Sequence, residues 1–227
     1  MSLVVRLLCL AMLLALLPIS VWVFGWHWQI SQSLGERQPW FWLTLTGSFP
    51  FALLTTAAAL LFLHWRLKWS RQQLLRHGAC LLLALLAGAG VKSYLKWHFK
   101  EARPYVQYLD KTHNADFYQD SATRQRQLID KSPIPQWLKR HWRAERGYSL
   151  PSGHSQFAAS LALYAGVLLW LAGAWGSLLL VLAWALVVMG SRLLLGMHWP
   201  SDLLLSIVLS CLLIWPALRL GNGKAVS

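Results

Sequence analysis

Two histidines, one aspartate, three cations and a Pro-Ser-Gly-His turn are the residues of this chain whose types and spacing could do chemistry. They fall in three stretches: KWHFKEARP from Lys96 to Pro104, Pro151-Ser152-Gly153-His154, and SRLLLGMHWPSD from Ser191 to Asp202. Eleven positions are specified in a set order, which makes the group far more specific than any one short motif. Asp202 lies four residues beyond His198, within reach of its ring. A carboxylate bonded to one imidazole nitrogen fixes the tautomer and leaves the other nitrogen free to attack. Pro151 suits the first turn of a helix, so His154 stands at a helix mouth, where it can give a proton to a leaving oxygen. Gly153 allows a ligand close to the backbone, and the free N–H groups of Ser152, Gly153 and their neighbours, with the helix dipole, form an anion site. Lys96, Arg103 and Arg192 add positive charge, and an arginine can hold phosphate oxygens with two parallel bonds. The expected chemistry is phosphoryl transfer.

The remaining candidates read more simply. His27, His64, His77, His98, His113 and His141 are taken as packed or exposed histidines, and Lys92 and Lys100 as basic residues snorkelling at a span end. Cys9, Cys80 and Cys211 all fall inside apolar runs without metal-like spacing, so neither a disulfide nor a metal site is expected of them.

The elements that must position these residues are dictated by hydropathy. The chain is 56% hydrophobic and 13% charged, with 15 Trp, outside the range of soluble domains and typical of a polytopic membrane protein. Six runs could each supply the roughly 20 apolar residues of a spanning helix: Leu3 to Phe24, Trp42 to Leu63, Leu74 to Leu95, Phe157 to Leu171, Ser177 to Leu195 and Trp199 to Leu218. The fourth is short unless its helix extends. No formal charge occurs from Ser155 to Ser191, and Gly173-Ala174-Trp175-Gly176 provides the break for a helical hairpin. The first run is followed by VWVFGWHW rather than a small-residue cleavage site and reads as a retained anchor.

The expected fold is therefore all-α: a six-span membrane helix bundle with a small helical periplasmic subdomain. Its divisions are 1–95 for the first three spans, 96–150 for the outer segment, 151–219 for the last three spans and 220–227 for a cytoplasmic tail. Arg66, Lys68, Arg71 and Arg76 place the loop between spans two and three inside, together with both termini, because Lys and Arg in short loops face the cytoplasm. That topology brings all three motifs to the outer face. The outer segment itself is basic, with eleven Lys or Arg against six Asp or Glu, against the trend of the short loops. Amphipathic stretches at Gln125 to Ile129 and Trp137 to Trp142 predict short helices lying on the membrane surface.

The three motifs, with the longer stretches GVKSYLKWHFKEARP, HWRAERGYSLPSGHSQFAAS and GSRLLLGMHWPSDL, resemble the type 2 phosphatidic acid phosphatase (PAP2) superfamily over nearly the whole chain. No motif position departs from the pattern. The resemblance implies a bacterial inner-membrane enzyme with its site on the periplasmic side. It makes His198 the nucleophile that forms a phosphohistidine, Asp202 its partner, His154 the general acid, and Lys96, Arg103, Ser152, Gly153 and Arg192 the phosphate binders. It also implies no metal and no cofactor, in keeping with only eight acidic residues and no paired-carboxylate spacing. The partners expected are lipid phosphates and the bilayer, with no nucleic acid and no obligate protein partner. By resemblance the substrates are phosphatidylglycerol phosphate, phosphatidic acid and undecaprenyl pyrophosphate. A phosphotransferase with another acceptor than water is the nearest alternative. A lipid or anion transporter needs no His–Asp pair, and a haloperoxidase is disfavoured in a lipid-embedded chain.

Overall fold

A computed structural model describes residues 1–30 and 32–222. The end of the expected tail, from residue 223, lies outside them. Among the described residues there are helices and no strands: α1 Leu3–Val23, a 3-10 helix Gln32–Arg37, α2 Gln38–Leu45, α3 Phe51–Leu67, α4 Arg71–Phe99, α5 Pro104–His113, α6 Ala122–Lys131, α7 Gln136–Ala144, α8 Gly153–Leu171, α9 Trp175–Leu194 and α10 Pro200–Asn222.

Local chemistry explains where these helices begin and end. Ser70 and Gln73 form a reciprocal capping box at the start of α4, while Ser121 and Ser152 cap α6 and α8 through their hydroxyls. Lys68 and Lys100 close α3 and α4 in the left-handed conformation. Gly173 takes φ 66° in the turn between α8 and α9, which confirms the hairpin expected there and is a conformation glycine adopts without cost. The short fourth run becomes a full helix because α8 begins back at Gly153.

Among the described residues, five helices are long and apolar enough to cross a membrane, namely α1, the helix starting at Arg71, α8, α9 and α10. The second expected span is different. Trp42 to Leu63 is not one helix: the chain leaves α2 after Leu45 and starts α3 at Phe51, a shorter apolar helix of 17 residues. Pro50 explains the break, since it offers no N–H to a continuing helix and disfavours helical geometry at Phe49.

α8 sits in the middle, packed against α1, α3, α4, α9 and α10. One core runs through this bundle, built from Leu10, Leu14, Leu63, Ala158, Ala162, Ala185, Val188 and Ile214 among others. Large apolar side chains on the outside, such as Leu83, Leu180 and Leu212, are two-thirds exposed, as expected where the surrounding solvent is lipid. A second, separate core joins α5, α6 and α7 to Trp28, Leu34, Leu195 and Met197. α6 and α7 match the two amphipathic stretches, but their apolar faces are not laid on a membrane surface. Leu128, Ile129, Leu138 and Trp142 are fully buried in this second core, because the neighbouring helices and Trp28 offer them an apolar surface first.

Candidate active site

The seam between the two cores holds a cavity of about 730 Å³. At its polar end it is lined by Lys92, Lys96, Arg103, Glu145, Gly153, His154 and His198, and at its apolar end by Phe49, Ala52, Leu85, Ala89 and Phe157. Of the eight expected site residues, Lys96, Arg103, Gly153, His154 and His198 face this space. Ser152, Arg192 and Asp202 are fully buried behind it.

His198 stands in the five-residue link between α9 and α10. Gly196 makes that link possible: its φ is 71°, and a Cβ there would lie 2.5 Å from the Trp28 ring. The backbone N–H groups of Met197 and His198 both return to the Arg192 carbonyl, at 3.0 and 3.2 Å. Asp202 lies in the first turn of α10, and its Oδ2 is 2.9 Å from His198 Nδ1. The same oxygen accepts from the Trp199 N–H at 2.9 Å and from the Ser149 hydroxyl. An oxygen that collects donors requires the proton on Nδ1, so Nε2 carries the lone pair. Arg103 NH1 donates to that Nε2 at 3.1 Å, and to the Met197 carbonyl at 3.0 Å. Burial, with Arg103, Lys96, Arg192 and His154 around it, holds the imidazole of His198 well below the ordinary histidine pKa. It is neutral at neutral pH, as a nitrogen nucleophile must be.

Each cation is held by fixed acceptors. Lys96 Nζ donates to the Tyr148 carbonyl and, at 2.9 Å, to that of Ser149. Arg103, the residue before α5, donates from Nε to the Gly147 carbonyl at 2.7 Å. Arg192 donates to Glu145 Oε2 at 2.7 Å, to Thr44 Oγ1 at 3.0 Å and to His141 Nε2 at 3.2 Å, while its Nε is buried without a partner. Ser152 caps α8 by accepting from the Ser155 N–H. The N-terminus of α8 therefore opens at Gly153 onto a ring of positive charge.

Besides Ser149 and Thr44, four residues outside the motifs join this arrangement. Glu145 sits among the cations, with Arg103 at 3.6 Å, Arg192 at 2.7 Å and His154 Nε2 at 3.7 Å. Burial opposes its ionisation, but Arg192, His154, His141 and Arg103 outweigh this and hold the carboxyl well below the usual carboxylate range. It is the one acid in the stretch just before the Pro-Ser-Gly-His turn, a signal the sequence did carry. His141, read as a packed histidine, is buried but also belongs to the network through Arg192; burial lowers its pKa to about 4. Ser48, in the break between α2 and α3, has its Oγ 2.6 Å from His154 Nε2. No periodicity argument could find it, because the contact depends on the break at Pro50. Lys92 departs from the snorkelling expected of it: its chain turns onto Gly153, where a Cβ would meet its Cδ at 3.0 Å. Among the described residues, no group of His, Cys, Asp or Glu side chains is arranged to hold a metal ion.

The geometry supplies one neutral imidazole oriented by a carboxylate, a second at a helix N-terminus, and a cationic ring at the mouth of an apolar cavity. Residues 77–224, which carry all three motifs, match the PAP2 superfamily. The chain belongs to the PAP2 superfamily. Within it, phosphatidylglycerophosphatase B of Escherichia coli K12 is 38% identical over 222 residues, covering 92% of this chain and 87% of its own. The protein of the same name in Haemophilus influenzae is 33% identical over 223 residues and 92% of each chain. This PAP2 chain is thus a membrane phosphatase by family and by its full-length relatives.

Proposed function

We propose that the protein is a lipid phosphate phosphatase that removes the terminal phosphate from phosphatidylglycerol phosphate, phosphatidic acid and undecaprenyl pyrophosphate at the periplasmic face of the inner membrane. In this reading α3 is the sixth span, and α5 to α7 lie outside. The observation that carries the reading is the His198–Asp202 pair, whose unprotonated Nε2 faces the cavity and accepts from Arg103, a bond that Arg103 exchanges for a phosphate oxygen when substrate binds.

In the first step the Nε2 lone pair attacks phosphorus, the P–N bond forms and the bond from phosphorus to the lipid oxygen breaks. Binding of the phosphate dianion beside Glu145 brings enough negative charge for His154 to take up a second proton, and His154 gives that proton to the leaving oxygen. Asp202 stabilises the charge that develops on His198. Lys96, Arg103 and the N–H of Gly153 hold the equatorial oxygens, and Arg192, buried behind the cavity on Glu145, adds to the positive field, the electrostatic stabilisation that dominates phosphoryl transfer. In the second step water attacks phosphorus, its proton passes to His154, and the P–N bond breaks to release inorganic phosphate. All the positive charge in this scheme comes from side chains and a helix terminus.

The test is phosphate release from the three lipids by purified protein in detergent, with water as the sole acceptor and with EDTA present. An acid-labile labelled phosphoenzyme should be trapped in the wild type and absent in His198→Ala. Phosphate release that requires a second lipid as acceptor would make the chain a phosphotransferase instead.

A further inference from the structure

Below the cationic ring the cavity runs down between α4 and α8, and besides the Ser160 hydroxyl one polar side chain stands in this apolar part without a role in the chemistry above. Gln156 is 4% exposed and lines the cavity, yet its amide nitrogen has no hydrogen-bond partner. Several described side-chain nitrogen and oxygen atoms are buried and unpartnered, but only that of Gln156 belongs to a residue lining the cavity. The neighbouring hydroxyls do not serve it. Ser160 donates to Ser210, and Ser210 shares its one proton between the backbone carbonyls of Gln156 and Ser206.

The amide has been given room: a Cβ on Gly88 of α4 would stand 2.9 Å from Gln156 Nε2. Leaving a buried amide unpaired is destabilising, and an apolar residue of the same length would avoid it. The site thus keeps a donor that the protein alone does not satisfy. Its depth indicates what does. Gln156 is three residues, about 4.5 Å, further along α8 than Gly153, where phosphate is held in the phosphatase reading. In a glycerophospholipid the acyl ester carbonyls lie about the length of the glycerol backbone from the phosphate, on the side of the chains.

We propose that the Gln156 amide donates a hydrogen bond to an acyl ester carbonyl of a diacylglycerol phosphate, so that this residue sets the preference for ester-linked lipids over those without a carbonyl. The inference rests on the phosphatase reading above and adds a subsite to it. A polyprenyl diphosphate or an ether-linked lipid has no carbonyl to accept from Gln156 and leaves the amide unpaired.

The experiment compares kcat/KM of the full chain in mixed micelles on diacyl phosphatidic acid, on dialkyl phosphatidic acid of the same chain length and on a polyprenyl diphosphate. Gln156→Met conserves length and removes the amide. It should lower kcat/KM on the diacyl lipid about tenfold, the loss of one hydrogen bond. The dialkyl and polyprenyl substrates should change less than about twofold, and the ligand-free protein should melt no lower than the wild type, since an unpaired buried group has been removed. Gly88→Ala, whose methyl intrudes on the amide, should reproduce the selective loss. Equal losses on all three substrates, or no loss on the diacyl lipid, would overturn the proposal while leaving the phosphatase assignment intact. Absence of phosphate release from every lipid by the wild type would overturn both.

Discussion

The spanning bundle and the cluster of α5, α6 and α7 are built by different rules although they meet at one cavity. In the bundle, buried positions are mostly Leu and Ala, as along α8 with Ala158, Ala159, Ala162 and Ala165, and the outer faces remain apolar. Lipid is as apolar as a leucine, so small residues that let helices approach closely do more there than hydrophobic burial does. The second core is richer in aromatic rings, with Trp28, Tyr105, Phe117, Trp137 and Trp142 among its aliphatic side chains. Trp142 stacks on Tyr105 with centroids 4.4 Å apart, Trp28 meets Trp142 edge-on at 5.8 Å, and Trp142 donates to the Leu195 carbonyl at 3.2 Å. Helices of nine or ten residues do not persist alone in water, and large rings offer the most burial per residue. The candidate site draws on both regions: His154, Arg192, Lys96 and Asp202 from bundle helices, Arg103, His141, Glu145 and Ser149 from the second region. Positioning is therefore shared between a part held by lipid-facing packing and a part held by aromatic burial.

Four results would break or sharpen that contrast. The largest effect belongs at the seam: His198→Ala should reduce lipid phosphate hydrolysis by roughly 10⁴-fold or more, as removal of a nucleophile does. A residual rate near wild type would move the chemistry elsewhere. Next, Trp142→Ala should destabilise the second region by about 3–5 kcal/mol while the bundle keeps its helices. The expected readout is faster trypsin cleavage in α6 and α7 and loss of activity, with far-UV circular dichroism falling only by the share of those short helices. Uniform unfolding of the whole chain would show that the two regions are one cooperative unit.

Acidification should act on the second region first. His141 is held neutral with a pKa of about 4 against an ordinary 6.5, so its favourable contribution is complete above pH 6.5 and is lost as the pH falls toward 4. His198 is lowered in the same direction, and the depressed Glu145 carboxyl likewise contributes above its unfolded pKa and is lost in acid. Thermal unfolding measured from pH 8 to pH 5 should show the second region losing about 2 kcal/mol from His141 alone. A midpoint that rises on acidification would contradict this sign. The smallest effect is expected inside the bundle. Ser210 shares its proton between two backbone carbonyls and accepts from Ser160, yet Ser210→Ala should cost only about 0.6 kcal/mol, because the unfolded chain in a membrane also finds partners. A loss as large as that of Trp142→Ala, measured by denaturation in detergent, would remove the distinction.

Much of the candidate site was readable from residue type and spacing. The His198–Asp202 pair needs only the i, i+4 spacing at a helix start, and the capping of α8 follows from Pro151-Ser152-Gly153. Both are local, and local geometry is encoded within a few residues, although Pro151, expected in the first turn, lies one residue before the Ser152 cap and outside the helix. The helical hairpin at Gly173 is legible for the same reason. What escaped was non-local or contrary to hydropathy. The run Trp42 to Leu63 looks like one span because hydropathy averages over Pro50, so the placement of Ser48 on His154 was invisible. Lys92 looked like an interfacial lysine because its sequence neighbours do not reveal that α4 turns it onto Gly153.

The amino-acid sequence alone determined that this chain is helical, membrane-embedded and equipped with two histidines, an aspartate and cations suited to phosphate, since hydropathy, capping and short spacings act within one helix. Only the tertiary structure decided that Arg192 is tied to Glu145 and His141, that Gln156 stands unpaired over Gly88, and that α6 and α7 bury their apolar faces in a second core. Those outcomes depend on which surfaces meet across long stretches of chain, where burial and charge are settled by packing rather than by neighbours in sequence.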